Sequence, residues 1–245
     1  MTTEIKGISS MATGQVLAEL AHWLQRRSGL RLVIEAVGGV DAAKRVQAGE
    51  AFDAVFLASE AIDKLIAAGR MLAGSKVDLV RSGVAVAVRA GAMQPDISTE
   101  DAVRKAVLGA RSISYSTGPS GVALAQLFER WGIADEIRGR IVQAPPGVPV
   151  GSLVARGEVE LGFQQFSELM HLDGITVLGP LPPAIQIITT FSAGVCAGTQ
   201  QAAAVRAMLA DMNTPQAAEI KRRHGMEPAS AGATQSPSPS GRGQG

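Results

Sequence analysis

Two stretches of this chain echo one another. Ser9-Ser10-Met11-Ala12-Thr13-Gly14-Gln15-Val16-Leu17-Ala18-Glu19-Leu20 lines up with Ser116-Thr117-Gly118-Pro119-Ser120-Gly121-Val122-Ala123-Leu124-Ala125-Gln126-Leu127. Trp23 then falls opposite Trp131, Val46-Gln47-Ala48-Gly49-Glu50 opposite Val154-Ala155-Arg156-Gly157-Glu158, and Ser59-Glu60 opposite Ser167-Glu168, at a spacing of 107 or 108 residues. The matches keep one order along the chain, so two lobes of one design are expected. The spacing is far beyond the roughly 20–50 residues of a stacked repeat.

The hydropathy pattern says what each lobe contains. Short apolar, β-branched runs at Glu4–Ser9, Leu30–Val37, Asp53–Leu57, Gly83–Arg89, Ser112–Ser116, Glu160–Gln164, Thr176–Leu178 and Ile185–Val195 read as strands. Amphipathic segments lie between them; in Gln15–Arg27 the residues Val16, Leu17, Leu20, Trp23 and Leu24 recur at helical spacing. Gly29, Gly49, Gly69, Gly132 and Gly157 close such segments as helix stops. Alternation of this kind predicts an α/β fold with mainly parallel sheets and helices on both faces. With 245 residues, 46% of them apolar, the chain can build a core in each lobe. The Ser/Gly/Pro/Gln-rich stretch 229–245 cannot bury enough apolar surface and is expected to be a disordered tail.

Composition excludes several function classes. A balance of 23 Lys+Arg against 22 Asp+Glu gives a net charge of +1, without the basic face of a nucleic-acid binder. The single cysteine, Cys196, rules out a disulfide framework and reads as a core residue. Three scattered histidines, His22, His171 and His224, argue against a histidine metal site, so neither metal nor cofactor is expected. No apolar run approaches the roughly 20 residues that span a bilayer. Residues 1–10 lack the basic and apolar regions of a signal peptide, so the chain as written is expected in the cytoplasm, or in the periplasm if a leader was trimmed.

In both copies of the echo a strand ends in a hydroxyl pair and a helix begins after Thr13-Gly14 or Ser120-Gly121. A helix N-terminus carries unpartnered N–H groups and the positive end of the macrodipole. With Ser9, Ser10, Ser116, Thr117 and Ser120 beside it, such a turn suits a small anion without any basic side chain. Helix capping alone accounts for the same residue types. Gly118-Pro119-Ser120-Gly121 lacks the Lys-Ser/Thr of a phosphate-binding P-loop, no strand leads into a Gly-x-Gly-x-x-Gly run, and no Gly-x-Ser-x-Gly elbow occurs.

Taken together these residues resemble the periplasmic molybdate-binding-protein family, with its type II solute-binding fold, from Glu4 to Pro228. The pieces are Ser9-Ser10, Ala48-Gly49-Glu50 before Asp53-Ala54-Val55-Phe56, Ser116-Thr117-Gly118-Pro119-Ser120-Gly121, Ala155-Arg156-Gly157-Glu158, and Pro215-Gln216-Ala217-Ala218-Glu219-Ile220. The resemblance implies two lobes joined by two crossover strands, with residues 1–82 and 187–228 in lobe one and residues 83–186 inserted as lobe two. The family's oxyanion contacts carry over onto Ser10, Gly39, Ser120, Val148 and Gln165. Its molybdate binders often have a tyrosine where Gln165 stands.

Phe163-Gln164-Gln165-Phe166-Ser167-Glu168-Leu169, with Gly179-Pro180-Leu181-Pro182 and Thr190-Phe191-Ser192-Ala193-Gly194, is similar to the branch of that family that includes bacterial aconitate isomerase. A member of that branch would bind an organic polycarboxylate and move a proton between its carbons. Gln164 and Gln165 offer amide donors to a carboxylate, and Arg81 a bidentate contact. Glu168 is the first candidate base and His171 the second; a first-turn acid complementing the helix dipole explains Glu168 equally. Three functions stay open. They are a carboxylate binder with isomerase activity, a molybdate-type receptor serving an ABC permease if the chain is exported, and a ligand-sensing module. Otherwise a monomer is expected.

Overall fold

In the computed structural model, which describes residues 3–145 and 147–229, strand and helix alternate along the chain. The first part runs β1 (Glu4–Ser10), α1 (Met11–Ser28), β2 (Arg31–Val37), α2 (Gly39–Gln47), β3 (Ala54–Ala58), α3 (Ser59–Ala67) and the long β4 (Val77–Arg89). Next come α4 (Glu100–Gly109), β5 (Ile113–Tyr115), α5 (Pro119–Arg130), α6 (Ala134–Ile137), α7 (Val150–Ala155), β6 (Leu161–Gln165), α8 (Phe166–Leu169) and β7 (Ile175–Pro180). The chain returns through β8 (Ile188–Val195), α9 (Ala202–Asp211), α10 (Pro215–Arg223) and β9 (Glu227–Pro228). The expected tail over 229–245 lies, apart from Ala229, outside the described residues.

Strand order is β2-β1-β3-β8-β4-β6-β5, with β7 and β9 also on β4. The first half of β4 pairs with β8 and β9, and its second half with β6 and β7, so one strand serves both lobes. Parallel pairing joins β1 to β2 and β3, and β5 to β6. The sheet is therefore mixed rather than mainly parallel, because β4 and β8 run against the βα units they connect. The return passage is also not a continuous strand. Leu181, Pro182 and Pro183 end β7 in a 3-10 turn at Pro183–Ile185, and β8 starts only at Ile188. There the Gln186 side chain stands in for backbone, its Oε1 accepting from the Val84 and Ile187 N–H groups and its Nε2 donating to the Val84 carbonyl.

Apolar burial separates along the same line. One cluster gathers Ile5, Leu17, Leu20, Phe56, Val80, Phe191, Met208 and Met226, and another Val84, Val103, Leu124, Phe128, Phe163 and Ile185. These two bodies are called lobe one and lobe two below.

The internal echo is structural. After α2 the amides of Ala48, Gly49 and Glu50 donate to the carbonyls of Lys44, Val46 and Arg45. After α7 those of Arg156, Gly157 and Glu158 donate to Ser152, Val154 and Leu153 in the same pattern, 108 residues on. The five glycines read as helix stops all have positive φ, between 67° and 89°, where a side chain would be strained. Gly14 and Gly121 differ from expectation: both lie inside the first turn, and the helices start at Met11 and Pro119. The reason is close approach. A Cβ on Gly121 would sit 1.6 Å from the Ser116 carbonyl oxygen, and one on Gly14 3.0 Å from the Ala36 Cβ.

Candidate functional site

Strands β1, β2 and β3 are in register, so their C-terminal ends at Ser10, Val37 and Ala58 share one edge of the sheet. Helices α1, α2 and α3 start within two residues of those ends. Their N-terminal N–H groups therefore open onto a single edge, the place where open α/β sheets take ligands. Of the three N-caps, Ser10, Gly38 and Ala58, only Ser10 has a side chain able to cap, and it makes no capping bond. Capping does not explain the hydroxyls.

The hydroxyls instead bond to each other. Ser10 Oγ lies 3.4 Å from Thr13 Oγ1, and Thr13 Oγ1 donates to the Ser10 carbonyl at 3.2 Å. Gly39 sits against this pair, since a Cβ there would be 3.4 Å from that of Ser10. Ser9 is not part of the cluster. Successive strand residues face opposite ways, so Ser9 shares the face of Ile5, has no accessible surface, and leaves its Oγ without a partner.

Lobe two repeats the arrangement at α5, where Ser116 Oγ is 3.1 Å from Ser120 Oγ and the Gly118 N-cap has no side-chain bond. The fold of the first turn back onto the Ser116 carbonyl, which Gly121 permits, brings the two hydroxyls together. Thr117 is exposed between them. A bond of 3.0 Å from Ser167 Oγ to the Ala12 carbonyl ties α8 of lobe two to the first turn of α1.

At the end of β6 the two glutamines part company. Gln165 Nε2 donates to Thr189 Oγ1 at 2.8 Å, and its Oε1 is buried without a partner. Thr189 lies opposite Ser82 on β4, whose Oγ is likewise buried and unpartnered, where β4 passes from one lobe to the other. An orphaned buried polar group costs about 1–3 kcal/mol, and the Ser82 hydroxyl, unlike the Gln165 oxygen, carries a donor that an anion could take up. Sequence reasoning missed Ser82 and Thr189. The available signal was a hydroxyl pair, Thr189-Thr190, interrupting an apolar strand.

Gln164 faces the other way and is engaged at both ends. Its Oε1 accepts the Gly151 N–H at 3.0 Å and its Nε2 donates to Glu168 Oε1 at 2.9 Å. It is thus a brace and not the carboxylate contact expected of it. Burial pushes the Glu168 carboxyl up to about 7, against a smaller downward pull from the Gln164 N–H.

Other expected residues lie elsewhere. His171 is exposed and packs edge-on against His224, ring centroids 5.5 Å apart, where His224 Nε2 lies 2.7 Å from Glu19 Oε2. That places it on the flank of α1 and α10, held there by the turn after α8, rather than with Glu168. Arg81 is exposed, its backbone paired with Thr190 and Glu227, because strand alternation turns it away from the face of buried Val80 and Ser82. The Val148 N–H is occupied by the Pro145 carbonyl at 3.0 Å, so a turn consumes the donor that an oxyanion would need. Among the described residues no three His, Cys, Asp or Glu side chains gather as a metal site requires.

The profile of a family described as bacterial extracellular solute-binding protein matches residues 5–227. An aconitate isomerase from a Pseudomonas species is 35% identical over 235 residues, covering 94% of this chain and 89% of that protein. The periplasmic molybdate-binding protein of Azotobacter vinelandii superposes with a TM-score of 0.75 at 24% identity, covering 91% of this chain and 98% of its own. The sulfate-binding protein SubI from Mycobacterium tuberculosis gives 0.76 at 15% identity, covering 94% and 88%. These two structural likenesses speak to the fold.

Proposed function

The chain belongs to the bacterial extracellular solute-binding protein family, and on that premise we propose that it binds an unsaturated organic polycarboxylate between its lobes and shifts a proton between two carbons of it. The observation that carries this reading is the near full-length, 35% identical likeness to an aconitate isomerase. The helix termini with the Ser10–Thr13 and Ser116–Ser120 hydroxyl pairs hold carboxylates. Gln165 and Thr189 meet a further polar group of the ligand at the crossover.

Glu168 is the proton carrier. A carboxyl titrating near 7 is half ionised at neutral pH and exchanges protons in both directions. As a carboxylate it takes a proton from the methylene carbon, leaving an allylic anion spread over three carbons and the attached carboxylates. Returned to the far carbon of the former double bond, that proton, or one exchanged onto the carboxyl from solvent before its return, moves that bond by one position and regenerates the carboxylate. Support comes from comparison with the echo. Glu60 is the second residue of α3 and is exposed, whereas Glu168 is the third of α8 and half-buried. One residue turns a side chain by about 100° around a helix, so a first-turn acid with only a dipole role would not need this position.

The test is a melting panel followed by proton exchange. Aconitate at about 100 times its dissociation constant should add roughly 2.7 kcal/mol, a rise on the order of 5–10 °C for a chain of this size. Proton NMR in heavy water should then show deuterium entering the methylene position. A rise with molybdate, tungstate or sulfate alone, and none with aconitate, would refute the proposal and favour an oxyanion receptor working with an ABC permease.

A further inference from the structure

Gln164 and Gln165 are neighbours on one strand with opposite duties. Gln165 reaches across to Thr189 at the crossover, while Gln164, 3% accessible, lies between α7 and α8. The orientation of its amide is fixed by chemistry. The Gly151 backbone N–H can only donate, so the atom facing it at 3.0 Å is the oxygen, and the NH2 end necessarily faces Glu168 Oε1 at 2.9 Å. Nothing in the design of a lobe calls for this chain of bonds. Aligned on the N-caps Ala58 and Gln165, the residue of lobe one matching Gln164 is Leu57, packed with Val55 and Ile62, and the α2 N-terminus is left without a side-chain bond.

We infer that Gln164 is a positioning residue: held at its oxygen by the α7 backbone, it pins Glu168 through Oε1 and leaves Oε2 as the oxygen that takes and returns the proton. This rests on the reading of Glu168 as proton carrier. The C–H electrons stay on the substrate carbon as the allylic anion while the O–H bond forms at Oε2. That O–H bond then breaks as the new C–H bond forms, and Oε1 keeps its amide bond throughout. A carboxyl pinned at one oxygen cannot rotate to present the wrong lone pair, which is what orientation contributes to proton transfer. Only burial and this amide act on Glu168, with no charged side chain among the influences.

The experiment follows Glu168 itself as well as turnover. Protein labelled with 13C-glutamate is titrated by NMR, with the Glu168 resonance identified by its absence in Glu168→Gln, for the natural chain, Gln164→Leu and Gln164→Glu. The glutamate variant keeps an acceptor for the Gly151 N–H, so one variant remains informative if the leucine form does not fold. Both should raise the Glu168 midpoint: the leucine because a stabilising N–H is lost, the glutamate further because a second carboxyl then faces Glu168. Deuterium exchange into trans-aconitate should slow by at least about tenfold, with its dissociation constant within about threefold. An unmoved midpoint, or weaker binding with exchange at saturation intact, would overturn the inference and make Gln164 a ligand contact or a plain brace. A raised midpoint with no exchange even in the natural chain would place the failure in the proton-transfer reading, and the role given to Oε2 would fall with it.

Discussion

Replacing Glu168 by glutamine should make the unliganded protein more stable at alkaline pH. Burial carries this carboxyl from 4.5 to about 7 on folding, and the Gln164 N–H offsets only part of that. Between those values the folded chain holds a proton that the unfolded chain has released. Stability contributed by the neutral acid is therefore full below about pH 4.5, falls as pH rises through the window, and is lost above about 7. Each tenfold change in proton affinity is worth about 1.4 kcal/mol, so the ionised group costs about 3 kcal/mol at pH 8.5. Glutamine keeps the shape, and its amide oxygen still accepts from Gln164. The variant should match the natural protein at pH 4.5 and exceed it by about 2–3 kcal/mol at pH 8.5. That is a melting gain of about 4–12 °C for a chain of this length. Urea melts of both proteins at intervals across that range give the difference curve directly. A flat curve, or a variant that loses stability at pH 8.5, would show that Glu168 is solvated or paired with a cation when folded.

Two further outcomes follow from the same geometry. Gly121→Ala places a methyl where the Ser116 carbonyl oxygen already lies, 1.6 Å away, and should cost about 1–3 kcal/mol along with some ligand affinity. Gly109→Ala, with nothing within 4 Å, should be neutral or slightly stabilising, and equal melting temperatures for the pair would refute the close approach. Gln165→Leu removes Nε2, which carries a second N–H for a carboxylate beside the one given to Thr189. Aconitate affinity by calorimetry should fall at least about tenfold, the worth of one hydrogen bond to a charged ligand, with little change in unliganded stability. Retained affinity would remove Gln165 from the site.

The helix stops were legible because they are local. A glycine at Gly49 or Gly157 takes a positive φ whatever surrounds it, and the capping bonds that follow involve residues within five positions. The hydroxyl turns were legible as turns, since Ser10, Thr13, Ser116 and Ser120 stand where a strand gives way to a helix. Other features depend on contacts between distant parts of the chain. Gly121 reads as a helix start until the Ser116 carbonyl is seen against it, and Ser82 and Thr189 meet only because β4 and β8 pair. Period-two alternation separates Ser9 from Ser10 and Gln164 from Gln165 onto opposite faces of their strands, a distinction that residue type alone does not make.

The comparison of the lobes bears on catalysis more than on binding. What they share is enough for a binder: a strand end, a helix N-terminus and a hydroxyl pair on each side, Ser10 with Thr13 and Ser116 with Ser120. A receptor that only closes on an anion gains nothing from a half-buried acid, and its ionised form would repel the ligand. Lobe two nevertheless departs from lobe one at adjoining places. Gln164 stands where Leu57 completes an apolar cluster, and Glu168 is turned inward by one residue relative to the exposed Glu60. Each departure is unfavourable alone, as a buried amide needing partners or as a carboxyl resisting ionisation. Together they satisfy each other through one hydrogen bond and yield a group titrating near neutrality. Strain of this kind, absent from the matching half of the molecule, supports the reading of Glu168 as the proton carrier.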